Sequence, residues 1–326
     1  MIHRIRCAAL PAVFCFGLVG VASIPPAQAG SIVAWGSDAN GQVSNTPMGD
    51  DFIAVAGGGD TAFALRSDGS IVAWGSDYNG LVSDAPTGTG FTALTTDGNG
   101  SFALRSDGSI VAWGSATAPT GTGFTAIASS YGTFFALRSD GSIYARGYDG
   151  PNRVVSDVPK GTGFTAIAGG GYTGYALRSD GSIAVWGLGS KAPTGTGFTV
   201  IAGTDGTGYA LRSDGSIAAR GSDTFGQVSD APTGTGFTAL IARNASAFAL
   251  RSDGSIAGWG YDGNGLISNA PTGTGFLAIA TGDDFGVALR DDGPAAVPEP
   301  SSLAMSGIAA AALAGAAMRR RSRRGA

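Results

Sequence analysis

The chain has 326 residues, of which 43% are hydrophobic and only 13% are charged, and its formal net charge is −4. Of the 20 Lys and Arg residues, two precede residue 30 and five follow residue 293, which leaves 13 basic against 23 acidic residues between those positions. Such an acidic surface repels phosphate backbones, so the composition argues against a nucleic-acid partner.

The first 29 residues have the layout of a secretory signal peptide. A basic start (His3, Arg4 and Arg6) precedes an apolar run, and small residues follow it, so we expect signal peptidase to cleave between Ala29 and Gly30. Both cysteines and the only histidine lie in this segment. The exported chain would therefore lack thiols and imidazoles, which excludes a thiol nucleophile, a His-based triad and a Cys/His zinc site. No cofactor is predicted.

A nearly constant phrase, Ala-Leu-Arg-Ser-Asp-Gly-Ser-Ile, recurs through residues 30–293. Its glycine falls at positions 30, 69, 108, 141, 181, 215, 254 and 293, so the spacing is 33 to 40 residues. A unit of that length cannot bury its own apolar face, and neighbouring units must therefore stack on one another. The spacing predicts one domain of seven repeats over residues 30–293.

Each unit contains three short runs rich in β-branched and aromatic residues, for example Ile71–Trp74, Phe91–Leu94 and Phe102–Arg105. Clusters of Gly, Asp, Asn or Pro bound these runs, which therefore predict strands. The Asp-Gly pair between the last run of one unit and the first run of the next predicts a hairpin with a type I′ turn.

The ends of the repeat region distinguish an open solenoid from a closed ring. The region begins with the first strand of a unit, Ile32–Trp35, and ends after a third strand, Val287–Arg290. The opening strand can therefore supply the partner that the last hairpin lacks. We predict an all-β fold, a seven-bladed β-propeller with mostly three-stranded short blades, whose last blade is closed by the N-terminal strand.

Aromatic residues recur at fixed places in the units. Two of these places hold mainly Phe and are predicted to pack between blades. A third place holds Trp in five units, but Arg146 and Arg220 replace it in two others. Because a guanidinium is costly in a dry core, we expect this third position to lie near the surface. An exposed aromatic stripe there could bind a partner, but a half-buried structural Trp is favoured. The five tryptophans are Trp35, Trp74, Trp113, Trp186 and Trp259.

The repeat, ALRSDGSIVAWGSDxNGQVS in outline, resembles that of the regulator of chromosome condensation (RCC1) family. The resemblance implies a seven-bladed propeller. The short units and the export signal look most similar to secreted, propeller-type β-lactamase inhibitors, and this likeness implies that aromatic and acidic loop residues grip a partner. The chain departs from the family by lacking the His often found before the Ala-Leu strand and any basic character. These departures count against a chromatin or GTPase-exchange role.

The loops that correspond to the inhibitors' binding loops precede each Ala-Leu strand. Their middle positions vary while their flanks do not, which a rigid scaffold with adaptable contacts would show and which drift at unconstrained loop tips would also show. The candidate binding residues in these loops are Asp60, Asn99, Tyr131, Tyr172, Asp205, Arg243, Asn244, Asp284 and Phe285.

Residues 294–326 form a separate C-terminal segment. The motif Val297-Pro298-Glu299-Pro300 precedes an apolar stretch, Leu303–Met318, and a basic end. This pattern resembles a PEP-CTERM sorting signal, which implies processing by an exosortase of a Gram-negative bacterium. We expect transient membrane insertion with the arginines on the cytoplasmic side; a retained membrane anchor is the alternative. The arginines are Arg319, Arg320, Arg321, Arg323 and Arg324.

These observations predict an exported protein of the cell surface or extracellular matrix that binds an unknown protein or glycan partner through one face and is not an enzyme. A structural exopolysaccharide or biofilm component without a single ligand is one alternative. A β-lactamase-inhibitor-like protein and an Asp-based polysaccharide-degrading enzyme are two others. Asp77–Gly80 and Asp262–Gly265 resemble fragments of calcium loops, but because the repeat domain contains no glutamate to supply the bidentate ligand, a turn is favoured.

Overall fold

The computed structural model describes residues 29–292 apart from Leu188, Ser190 and Asp205. The predicted signal peptide before Ala29 and the predicted sorting segment, with its membrane insertion, lie outside the described residues. The described part is all-β, with 21 strands and two short 3₁₀ turns at Tyr78–Gly80 and Gly263–Gly265. None of its helices is long and apolar enough to cross a membrane.

The strands form seven separate antiparallel sheets of three strands each, which are the blades of the predicted propeller. The strands are β1 (Ser31–Gly36), β2 (Phe52–Gly58), β3 (Thr61–Arg66), β4 (Ile71–Gly75), β5 (Phe91–Thr96), β6 (Gly100–Arg105), β7 (Ile110–Gly114), β8 (Phe124–Ser130), β9 (Thr133–Arg138), β10 (Ile143–Gly147), β11 (Phe164–Gly170), β12 (Thr173–Arg178), β13 (Ile183–Gly187), β14 (Phe198–Gly203), β15 (Thr207–Arg212), β16 (Ile217–Gly221), β17 (Phe237–Arg243), β18 (Ser246–Arg251), β19 (Ile256–Gly260), β20 (Phe276–Thr281) and β21 (Phe285–Arg290).

Blades 1 to 6 each take three consecutive strands, from β2–β4 for blade 1 to β17–β19 for blade 6. In chain order we call them the inner, second and third strand of the blade; in blade 7 these are β20, β21 and β1. Blade 7 joins the two ends of the repeat region, because β1 pairs with β21 from Ser31↔Arg290 to Gly36↔Phe285. The predicted closure by the N-terminal strand is therefore confirmed. Pairing removes the open edge that β21 would otherwise present.

Each blade packs on the next through its own apolar cluster, and there are seven clusters for the seven contacts. The cluster between blades 7 and 1 contains Phe52, Val55, Phe285 and Val287, all fully buried. The unbroken series of clusters shows that the sheets form a closed ring. The predicted packing of Phe between blades is confirmed, since the first Phe of every inner strand is at most 6% exposed.

The hairpins joining the second and third strands are formed by the constant Ser-Asp-Gly-Ser phrase. In the first one, the Gly69 amide donates to the Arg66 carbonyl (2.9 Å), and Asp68 Oδ1 accepts the Ser70 amide (2.8 Å). Gly69 has a φ of +79°, but Ser67 and Asp68 do not adopt positive φ. The predicted hairpin is confirmed, but a type I′ turn is wrong, since it needs two consecutive positive φ values.

The invariant Arg of the repeat stacks on the first Phe of its own blade. The Arg66 guanidinium carbon lies 4.7 Å from the centre of the Phe52 ring, and five other blades repeat this contact. A cation–π contact of this kind covers the end of the inter-blade core while leaving the charge in water.

The tryptophans are buried, at 3% to 7% exposure, so they lie deeper than the expected half-buried position near the surface, and they do not form an exposed stripe. Each indole N–H donates to a backbone carbonyl in the linker that precedes its own blade, as Trp113 does to Leu81 (2.9 Å). The other four pairs are Trp35 with Leu266, Trp74 with Gln42, Trp186 with Val154 and Trp259 with Gln227.

Arg replaces Trp in the two blades that follow a short linker. Five linkers between blades are long, and each is followed by a blade with Trp. The two short linkers, 115–123 and 188–197, precede the blades of Arg146 and Arg220, whose side chains are exposed. Behind a short linker, the position that holds Trp elsewhere holds an exposed Arg.

Candidate binding face

The candidate binding residues lie at one end of the ring, which we call the turn face. It consists of the turns of two or three residues that connect the inner and second strand of each blade, such as Gly59-Asp60, Gly171-Tyr172 and Asn244-Ala245. The opposite end, the hairpin face, carries the Ser-Asp-Gly-Ser hairpins. Adjacent turns contact one another, because the Asp283 amide donates to the Gly59 carbonyl (2.9 Å) between blades 7 and 1.

The first position of these turns requires a left-handed backbone in several blades. Gly59 and Gly171 adopt φ of +56° and +57°, whereas Asn244 (+52°) and Tyr131 (+35°) hold the same position with side chains. Asn tolerates this conformation, but a bulky aromatic residue there is strained. Such strain persists where the surroundings enforce it and is frequent at functional sites.

Tyr131 belongs to a connected row of aromatic side chains. Its ring stacks on Tyr172 in the next blade, with centroids 5.8 Å apart, and Tyr172 meets the edge of Tyr148 at 6.4 Å. The Tyr131 hydroxyl donates to Asn244 Oδ1 at 2.5 Å, from blade 3 to blade 6. Tyr131 and Tyr148 are 38% and 55% exposed. We call these three tyrosines the aromatic row; Tyr131 connects it to Asn244.

A cavity of about 350 Å³ is lined in part by Asn244, the residue that Tyr131 contacts. Phe225 and Tyr261 form one wall, with ring centroids 4.9 Å apart and both rings about half exposed. Asp283 and Asp284 of blade 7 line the other side. We call it the blade 6–7 cavity.

Two of the predicted binding residues are not surface groups. Phe285 is fully buried in the cluster between blades 7 and 1, because the side chain that follows the turn points into the sheet stack. Arg243 is only 6% exposed, and its Nε donates to Asp283 at 2.6 Å. Phe285 is therefore removed from the candidate surface, and Arg243 acts by fixing Asp283.

The remaining predicted residues differ in their exposure and in their hydrogen bonds. Asp60 is exposed, but its carboxylate accepts bonds from the Asn40 and Gln42 side-chain amides at 3.2 and 3.1 Å. Asn99 is exposed and Tyr172 half-buried on the same face. Asp205 lies outside the described residues.

A second cavity, of about 290 Å³, opens between blades 2 and 3 where a short linker leaves a gap. Arg146, Asn99, Asp97 and Phe134 line it. The Asp97 carboxylate accepts the amides of Asn99 and Gly100, both at 2.8 Å, so it stabilises its own turn.

The two segments that resemble calcium loops are turns held by their aspartates. Asp77 Oδ1 accepts the backbone amides of Val82 and Ser83, each at 2.8 Å, and Asp262 does the same for Ile267 and Ser268. The amide donors, first Ser83 and then Val82, lower the pKa of Asp77 below its usual value. The carboxylates thus serve backbone groups, as the turn interpretation predicts.

Sequence reasoning missed Phe225, Tyr261 and Tyr148 as surface groups. The signal was in the repeat itself: Tyr148 and Tyr261 directly follow the third strand, where Ser37 and Ser76 stand in other units. An aromatic residue at a position that is otherwise Ser adds exposed ring surface that the fold does not need.

Comparisons with known proteins agree with this description. Residues 52–81 match the family model of the regulator of chromosome condensation (RCC1) repeat, and residues 296–321 match that of the PEP-CTERM protein-sorting motif. No curated protein shows significant sequence similarity to the chain.

Several solved structures share the fold. Yeast RCC1 (Prp20), solved bound to Kap60, has a TM-score of 0.65 at 17% identity, covering 89% of this chain and 96% of that one. The ectodomain of the Physcomitrella patens receptor kinase CR4 has a TM-score of 0.63 at 21% identity, with 76% and 71% covered. The CRINKLY ectodomain of the Arabidopsis thaliana receptor kinase ACR4 has a TM-score of 0.60 at 20% identity, with 74% and 90% covered.

The chain is therefore a β-propeller with the fold of RCC1 proteins. It combines this propeller with a PEP-CTERM sorting motif, which implies export, sorting to the cell surface of a Gram-negative bacterium and processing by an exosortase.

Proposed function

We propose that this exported propeller is a non-enzymatic binding protein that recognises a protein or glycan partner through the turn face. The observation that carries the proposal is the aromatic row. Exposed aromatic rings that are held in place by their neighbours provide large contact area at low entropic cost and are enriched among residues that dominate binding energy. Tyr131 is held in a strained conformation within the row, as expected of a residue retained for a purpose other than stability.

The repeated aspartates support a role other than catalysis. Catalysis needs a unique, asymmetric arrangement of groups, whereas Asp38, Asp77 and their equivalents perform the same turn-capping task in each long linker. We expect that neither the native chain nor Asp284→Asn hydrolyses glycans. A hydrolytic activity of the native chain that is lost in Asp284→Asn would favour the enzyme alternative.

The test uses the full chain after export, labelled with a fluorophore and titrated onto washed cells of the producing bacterium that lack the gene. A turn-face variant, Tyr131→Gly/Tyr148→Ser/Tyr172→Asn, replaces each ring by a residue that other units hold at that position. We expect saturable binding by the native chain and at least tenfold weaker binding by this variant.

The matched control is Met48→Thr, which removes a 91% exposed apolar side chain from a linker near the hairpin face and installs the Thr of other units. It is expected to bind as the native chain does. Equal binding by the turn-face variant would overturn the proposal, and binding without saturation would favour a structural matrix protein.

A further inference from the structure

The blade 6–7 cavity combines ring faces with fixed polar groups. Phe225 and Tyr261 are 49% and 48% exposed, and their rings meet at 60°. Asn244, Asp283 and Asp284 supply amide and carboxylate groups around the same space. Its volume of about 350 Å³ lies at the lower end of the range of small-ligand sites, about 300–1,000 Å³.

The corresponding place beside blade 1 carries small polar residues instead of the two rings, because Asn40 and Ser76 stand where Phe225 and Tyr261 stand in blade 6. Phe225 and Asn40 have the same local backbone, because each amide donates to a Gln side-chain oxygen two residues later, at 2.7 and 2.8 Å. Asn40 uses its side-chain amide to bind the Asp60 carboxylate. Phe225 has no side-chain amide, so it places a ring where the unit of Asn40 makes this hydrogen bond.

The polar groups of the cavity are positioned by buried contacts. The Arg243 guanidinium, 94% buried, holds one oxygen of Asp283 at 2.6 Å. The Tyr131 hydroxyl occupies Asn244 Oδ1 and leaves the Nδ2 group as a donor. Asp283 is therefore partly neutralised and fixed, and Asp284 adds a second carboxylate at the rim.

This set of groups matches the chemistry of a sugar ring. A pyranose has an apolar C–H face that packs on an aromatic ring and an edge of hydroxyls that donate to carboxylates in charge-assisted bonds. The acidic propeller repels anionic units. Because Arg243 already balances part of the Asp283 charge, the cavity does not need a cationic sugar to pair with Asp283.

We infer that the blade 6–7 cavity is a subsite for one uncharged sugar unit of a polysaccharide, whose chain continues over Asn244 onto the aromatic row. This inference rests on the proposed function and narrows its partner to a neutral glycan.

The test is affinity electrophoresis of the full exported chain in native gels that contain laminarin, mixed-linkage β-glucan, galactomannan, dextran or, as an acidic comparison, alginate. The cavity variant Phe225→Asn/Tyr261→Ser installs the residues of Asn40 and Ser76. The control Tyr78→Thr removes a 61% exposed aromatic residue that does not line the cavity and installs the residue found at Thr224.

We expect at least one neutral polysaccharide to retard the native chain and the control. The apparent Kd of the cavity variant should be at least tenfold higher, and 0.5 M NaCl should change the apparent Kd of the native chain little. Retardation by none of the neutral polysaccharides, or retardation abolished by salt as for a charged ligand, would overturn the inference. If the cavity variant still binds cells as the native chain does, the inference fails while the proposed function stands. If the turn-face variant also binds cells normally, both fail.

Discussion

The hydroxyl of Tyr131 donates a 2.5 Å hydrogen bond to the side-chain oxygen of Asn244, although the two residues are 113 positions apart. Both occupy the same position of the repeat, the first residue of the turn between inner and second strand, where Gly59 and Gly171 stand in other blades. Tyr131 and Asn244, which replace this glycine in their blades, thus contact each other on the turn face. Their contact joins the aromatic row to the blade 6–7 cavity.

The strain at Tyr131 leads to the first prediction. Tyr131→Gly removes a bulky residue from a φ of +35°, which relieves strain of about 1–3 kcal/mol but loses the stack on Tyr172. We expect the free energy of unfolding to rise by about 1 kcal/mol or to stay unchanged, while cell binding weakens. Guanidinium denaturation monitored by fluorescence measures it, and a loss of more than about 2 kcal/mol would contradict the strain argument.

The dependence of Trp on a long linker leads to the second prediction. Trp113→Ala is expected to lower the free energy of unfolding by about 3–5 kcal/mol, because it removes a buried ring and leaves the Leu81 carbonyl without its donor. Arg146→Ala, at the same position of the next blade, is expected to change it by less than about 0.5 kcal/mol, because that side chain is exposed. Similar losses for the two variants, measured by chemical denaturation, would contradict the account.

Ring closure by β1 leads to the third prediction. Deletion of residues 30–36 removes the partner of β21 and the buried Trp35, and we expect a loss of at least about 4 kcal/mol in the free energy of unfolding. A synthetic peptide of residues 30–37, added in trans, should restore the melting temperature in a saturable manner, whereas a scrambled peptide should not. A deletion that melts like the native chain would show that the last blade does not depend on β1.

The linker aspartates lead to the fourth prediction, which concerns pH. Backbone donors lower the folded-state pKa of Asp38, Asp77, Asp223 and Asp262 below the usual value of 3.8. Their contribution to stability is therefore complete above the unfolded pKa and is lost as the pH falls through the lower folded pKa. The melting temperature should be flat near neutrality and fall below about pH 4. Asp77→Asn should reduce the slope of this fall; an unchanged slope would assign the acid sensitivity to other groups.

The predicted export cleavage leads to the fifth prediction. Gly30 is buried, its amide donates to the Phe52 carbonyl at 3.0 Å, and a side chain at this position would collide with the Arg290 carbonyl. Cleavage between Ala29 and Gly30 keeps this contact and the whole of β1, so we expect mass analysis of the N-terminal peptide of the exported chain to begin at Gly30. Gly30→Leu should be exported but should melt at a lower temperature, and a mature chain that begins further downstream would contradict the cleavage prediction.

The sequence by itself determined the number of blades, the hairpins and the closing strand. These features depend on backbone hydrogen bonds that every unit repeats, so the spacing of Asp-Gly and the alternation of apolar residues record them directly. The long linkers and the Trp residues also vary together in the sequence, although only the hydrogen bond from Trp113 to Leu81 explains why.

Only the tertiary structure decided which side chains form the surface. Tyr131 and Asn244 meet because closing the ring brings blades 3 and 6 within reach, and Phe285 is buried although it directly follows the turn. Distances across a ring depend on how seven blades pack together, and no local pattern records them. The candidate site, unlike the fold, consists of residues that differ between repeats. Whether such residues contact one another depends on their positions in the closed ring.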